Sequence, residues 1–113
     1  MDVNRLVANH VARFNRSVAA GDFTSLVESF ADDATMSFEG VPVGPFTGRA
    51  AIAMAYRMSP PDDAIDLGEV HESGPDSARV EYTWRSDPAK KAGEMRLAWQ
   101  PDGLVRSLEV RLP

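Results

Sequence analysis

Few side chains in this sequence could carry chemistry. There is no Cys, which removes zinc ribbons, iron–sulfur clusters and thiolate catalysis. His10 lies one helical turn before Phe14 on an apolar stripe. An imidazole there can serve as a proton-transfer group, or as a core histidine with a hydrogen bond, which is the commoner fate. His71 and Glu72 are adjacent, and adjacent strand residues face opposite ways, so the two would not share a metal. Asp32-Asp33 are paired carboxylates inside Ala31–Ala34, which reads as a turn rather than a glycosidase pair. Arg49 opens a helix and reads as a structural partner for an Asp. No Gly-x-Ser-x-Gly and no phosphate-cradling glycine loop occurs. These residues call for no cofactor and no metal.

The elements that would position these groups follow from periodicity. Val3, Leu6, Val7, Val11, Phe14 and Val18 recur at helical spacing, which predicts a helix over 3–19 begun by Asp2 and ended by Gly21. Asp22 would cap a second short helix burying Phe23, Leu26, Val27 and Phe30. After the turn at 31–34, Thr35 to Glu39 alternates as a half-buried strand. Residues 40–48 hold three Gly and two Pro and read as a loop. Thr47 would cap a third helix over about 48–57 that presents Ile52, Ala53 and Tyr56, and Pro60-Pro61 would stop it. The remaining half has period two, with strands near 65–72, 78–86, 94–100 and 104–112. Turns are expected at 74–76, 87–93 and 101–103, so Lys90-Lys91 would sit at a hairpin tip. Short connections favour antiparallel pairing.

Three of these strands separate their faces cleanly. Val80, Tyr82 and Trp84 share one face with Met95, Leu97, Trp99, Leu108, Val110 and Leu112. The other face carries Arg79, Glu81, Arg85, Glu94, Arg96, Glu109 and Arg111. Helices at one end of the chain and strands at the other define an α+β class, with the helices on one face of one sheet. At 113 residues the chain makes a single domain over 1–113. A net charge of −5 argues against nucleic-acid binding, which needs a basic face. No apolar run reaches the roughly 20 residues of a membrane span. Met1-Asp2-Val3-Asn4-Arg5 is unlike a signal peptide, so a cytoplasmic location is expected.

Ala19-Ala20-Gly21-Asp22-Phe23, Phe30-Ala31-Asp32-Asp33-Ala34-Thr35 and Gly48-Arg49-Ala50-Ala51-Ile52 together resemble the signature of the nuclear transport factor 2-like superfamily. That group includes ketosteroid isomerases and SnoaL-like polyketide cyclases. The resemblance implies a cone: three N-terminal helices packed on a strongly curved, mostly antiparallel sheet around a pocket. The apolar candidates for its lining are Phe14, Met36, Phe38, Tyr56, Tyr82, Trp84, Met95, Leu97 and Trp99. The alternative for each is plain core packing.

Carried over residue by residue, the ketosteroid isomerase positions are mostly vacated. The first-helix tyrosine falls on Phe14, the general base on Phe38 and the protonated acid near Met95. Only the supporting tyrosine of the third helix is kept, as Tyr56. A hydroxyl without a base cannot abstract a proton. The expectation is therefore a domain that binds a small apolar molecule without isomerase chemistry. Two alternatives stand beside it. One is a cyclase or isomerase with a relocated acid or base, Glu39 or His10 acting with Tyr56; Glu39 would need a bulge to turn inward. The other is an interaction module with a filled pocket. A homodimer through the charged outer face is expected on family grounds, and because a face of both signs can meet its own two-fold copy.

Overall fold

The computed structural model describes all 113 residues. Helix α1 spans Val3–Ala20, with Asp2 accepting a hydrogen bond from the Arg5 amide and Gly21 closing it at φ 66°. The helix buries Val3, Val7 and Val11 as the spacing predicts, and also His10 and Ser17. Ser17 tolerates this because its hydroxyl donates to the Arg13 carbonyl at 2.9 Å. Helix α2 spans Thr24–Glu28, with Phe23 at the N-cap position. Asp22 does tether its start: the carboxylate accepts from the Thr24 amide at 3.0 Å and the Thr24 hydroxyl at 2.7 Å.

Strand β1 covers Phe30–Glu39, so two expectations are corrected. Residues 31–34 are not a turn, and Phe30 is not helical. Ala31 and Ala34 are buried, and pairing with the last strand slips between Phe30 and Thr35. The Asp-Asp pair is thus exposed on an irregular strand. Strand β2, Phe46–Thr47, pairs antiparallel with β1. Thr47 is therefore a strand residue, and the position before helix α3 (Arg49–Met58) belongs to Gly48, at φ 93°. A residue with a side chain would be strained at that angle. Arg49 fastens the corner: its guanidinium donates to the Phe30 carbonyl and pairs with Asp32 at 2.9 Å.

The other strands are β3 (Ile65–Gly74), β4 (Ser77–Trp84), β5 (Asp87–Trp99) and β6 (Val105–Arg111). The expected turn at 87–93 is instead the first half of β5. Arg85 and Ser86 alone connect β4 to β5, and pairing slips twice between Tyr82 and Trp84 to take up the extra residues. Lys91 leaves the predicted tip to reach Glu81 at 2.9 Å. Sheet order is β2-β1-β6-β5-β4-β3. Neighbours are antiparallel except β1 and β6, which run parallel. The sheet is curved and open, and the three helices pack on its apolar face. Asn15 ties α1 to β3, its amide exchanging two 2.9 Å hydrogen bonds with the backbone of Ile65.

Candidate functional site

The helix-facing side of the sheet is built by alternation. β4 contributes Val80, Tyr82 and Trp84. β5 contributes Gly93, Met95, Leu97 and Trp99, in register with Tyr82, Val80 and Ala78 or with β6. Met36 and Phe38 align with Leu108 and Val110. Of the nine expected lining residues, Met36, Tyr56, Tyr82, Met95, Leu97 and Trp99 are buried. Phe14, Phe38 and Trp84 are half-buried and pack on the same core. Phe38 meets Phe46 edge-on at 6.3 Å, and Tyr82 meets Trp84 edge-on at 6.0 Å. All nine thus belong to one apolar body, and three keep part of their surface in solvent.

Polar groups inside this body are few. His10 is 3% exposed, its Nδ1 has no hydrogen-bond partner, and its ring meets Phe30 edge-on at 6.1 Å. Burial, with the nearby Arg13 charge, pushes its pKa down to about 4. At neutral pH it is an uncharged imidazole of low basicity. The hydrogen bond expected of a core histidine is not made by Nδ1. Burial also raises Tyr56 well above its ordinary value, with Tyr82 adding to the shift, and it raises Tyr82. Neither hydroxyl has a hydrogen-bond partner in the protein.

Space for Tyr82 comes from Gly93, directly opposite on β5. A Cβ at Gly93 would lie 2.9 Å from the Tyr82 hydroxyl and 2.8 Å from the Arg111 carbonyl. Sequence reasoning took Gly93 as turn punctuation and missed this role. The available signal was the run of alternating residues that starts directly after it.

No carboxylate joins these groups. Glu39 lies on the outer face, where its carboxylate accepts from Arg111 Nε at 2.8 Å. Thr35 to Glu39 pair regularly with Ser107 to Arg111, so no bulge turns Glu39 inward. Glu94 is the one buried carboxylate, and it too is on the outer face, 3.4 Å from Arg79. His71 is half-exposed beside Glu69 at 3.5 Å. No group of three potential metal ligands occurs.

Two cavities stand out. One, of about 450 Å³, opens between α2 and α3, with Phe23, Val27, Ala53 and Tyr56 among its walls. Phe23 and Tyr56 stack there at 5.2 Å. Tyr56 is the single expected lining residue on that cavity. The second, of about 490 Å³, is a trough across the outer face of the sheet. Sequence reasoning identified neither. Each depends on how elements distant in sequence come together.

Three helices on the apolar face of an open, curved, six-stranded mixed sheet define a nuclear transport factor 2-like α+β domain. Residues 11–103 match the SnoaL-like domain family, and the chain belongs to it. Several solved structures share the fold. SalBIII, an epoxide hydrolase/cyclase-like enzyme of pyran ring formation in the polyether salinomycin, aligns over 100% of this chain and 95% of its own. Its identity is 22% and its TM-score 0.73. RV0760c from Mycobacterium tuberculosis, in complex with estradiol-17beta-hemisuccinate, aligns over 93% and 92% at 14% identity and a TM-score of 0.71. Delta 5-3-ketosteroid isomerase from Mycobacterium sp. aligns over 93% and 91% at 18% identity and a TM-score of 0.70. At such identities the likeness is one of fold. No curated protein matches the sequence. No helix is long and apolar enough to cross a membrane.

Proposed function

We propose that this domain binds a small apolar molecule against its aromatic helix–sheet interior and does not perform ketosteroid isomerase chemistry. One observation carries the reading: the only buried carboxylate, Glu94, faces away from the helices. Abstracting a proton from carbon needs a positioned base of suitable pKa. His10 is 3% exposed and packed edge-on against Phe30, so it offers no open face to a substrate, and Phe14, Phe38 and Met95 carry no group that can transfer a proton. What remains suits binding: rings of Phe14, Phe38 and Trp84 with open edges, and tyrosine hydroxyls with unused hydrogen-bonding capacity. The estradiol derivative bound by a protein of the same fold supports the same class of ligand.

Quenching of tryptophan fluorescence by estradiol-17β-hemisuccinate tests the binding half. Saturable quenching that weakens in Trp84→Ala is expected. No binding of this or any other apolar probe would overturn it. The chemical half is tested with a β,γ-unsaturated ketosteroid, whose isomerisation should run no faster than with acetate as control. Each missing proton-transfer or oxyanion group is worth roughly 10²–10³ in rate. Efficient turnover that survives Glu39→Gln and His10→Ala would refute this half. The domain further works as a homodimer joined through the charged outer face of the sheet. Light scattering at tens of micromolar protein should give twice the 12.3 kDa of the chain.

A further inference from the structure

The outer face has an internal order that its composition does not reveal. Reading across strands in register gives three tiers. The first runs Glu39, Arg111, Glu94, Glu81 and the second Ser37, Glu109, Arg96, Arg79, while the third runs Thr35, Ser107, Ala98, Ser77. Cross-strand partners share a face, so each tier is a row of neighbours. In the first tier every carboxylate has a cation of the same chain beside it, Glu39 with Arg111, Glu81 with Lys91 and Glu94 with Arg79, though the buried Oε1 of Glu94 makes no hydrogen bond. The second tier differs. Arg96 and Glu109 stand opposite each other, yet neither takes part in any of the seven ion pairs. Both edge the trough, whose floor is made of small residues such as Ser77, Ala98 and Ser107.

Resting on the homodimer reading above, we propose that the two-fold axis runs along the strands between β5 and β6, and that Arg96 of each copy pairs with Glu109 of the other. The geometry follows from the register. Rotation by 180° about that line turns the sheet over, lays β5 of one copy on β6 of the other, and preserves level along the strand. Arg96 then faces Glu109 twice. At the next level Glu94 faces Arg111 twice. Ser37 comes over Arg79 and can accept from its guanidinium, and Thr35 comes over Ser77. The one like-charge meeting, Glu39 over Glu81, brings its own cations, Arg111 and Lys91. Small side chains in the third tier let two sheets approach to the usual spacing of about 10 Å. An axis along the strands between β4 and β5 would put Arg96 on Arg79, and one between β6 and β1 would put Glu109 on Ser37. An axis across the strands between the first two tiers would set Arg96 on Glu94 and Glu109 on Arg111, an arrangement in which reversing both Arg96 and Glu109 gives no rescue.

Charge reversal tests this. The wild type, Arg96→Glu, Glu109→Arg and the double variant are compared by sedimentation equilibrium in low salt, with Lys90→Glu as a control of equal charge change outside the trough. Each single reversal sets like charges together twice, and should raise the dimer dissociation constant on the order of 100-fold. The double variant should restore it to within about threefold, and Lys90→Glu should leave it unchanged. Circular dichroism checks that every variant is folded, as expected for a half-exposed and an exposed position. A wild type that is monomeric would remove the homodimer reading and this inference together. A wild-type dimer indifferent to both single reversals would leave the homodimer standing and overturn the axis. Single reversals that dissociate the dimer without rescue in the double variant would also overturn the pairing.

Discussion

His10 shows what one buried group does to a domain's response to pH. Its pKa falls from 6.5 to about 4 on folding, so the unfolded chain takes up the proton first. The stability due to its neutral form is complete above pH 6.5 and is lost as pH falls toward 4. A gap of about 2.5 units corresponds to about 3 kcal/mol. His10→Leu removes that loss. The stability difference between wild type and variant, from urea titrations, should therefore shift by about 3 kcal/mol toward the variant between pH 7 and pH 4. A difference independent of pH would show that His10 is hydrated. Gly93 makes a second case. Its φ is ordinary, and what excludes a side chain is the crowding of Tyr82 and the Arg111 carbonyl. Gly93→Ala should cost about 1–3 kcal/mol. Adding Tyr82→Phe relieves the hydroxyl contact but not the backbone one, so thermal melts of the double variant should recover only part of the loss.

At the scale of elements, the junction of α1 with β3 rests on one side chain. Asn15 supplies donor and acceptor to the two backbone groups of Ile65, a residue only 3% exposed. Buried backbone groups left unpaired cost about 1–3 kcal/mol. Asn15→Leu, similar in size, should thus destabilise by about 2 kcal/mol and speed hydrogen exchange at the Ile65 amide, while the α3 corner held by Arg49 stays protected. Equal loss of protection at both places would mean that the two junctions open together.

At the scale of the whole molecule, the last strand in sequence is central in space. β6 lies between β1 and β5, joining the sheet's only parallel pair to its antiparallel half. A chain ending at Gln100 leaves β1 with its two-residue partner β2 alone, and should show no cooperative thermal transition. A chain lacking only Leu112 and Pro113, both exposed, should melt as the full chain does. Salt acts at this scale too. Exposed pairs are screened beyond about 8 Å at physiological ionic strength, so a dimer held by the outer face should loosen as salt rises. A dimer insensitive to salt would have an apolar contact surface.

Helix α1, the α+β class and the inward set of β4, β5 and β6 were legible in the residues because each depends on local periodicity. An alternating strand puts Tyr82, Met95 and Trp99 on one side whatever the rest does. The family was legible as well, through short runs about Gly21, Asp32 and Gly48. Other features were not. That 31–34 is strand depends on β6, more than 70 residues away, and that 87–93 is strand depends on its backbone pairing with the end of β4 through two register slips. The outward position of Glu39 followed from alternation, but its bond to Arg111 needed the parallel register of β1 with β6. The unpaired state of Arg96 and Glu109, the stack of Phe23 on Tyr56 and the room that Gly93 leaves for Tyr82 are properties of neighbours brought together by folding. Periodicity says which way a side chain points, while only the tertiary structure decides what it meets there.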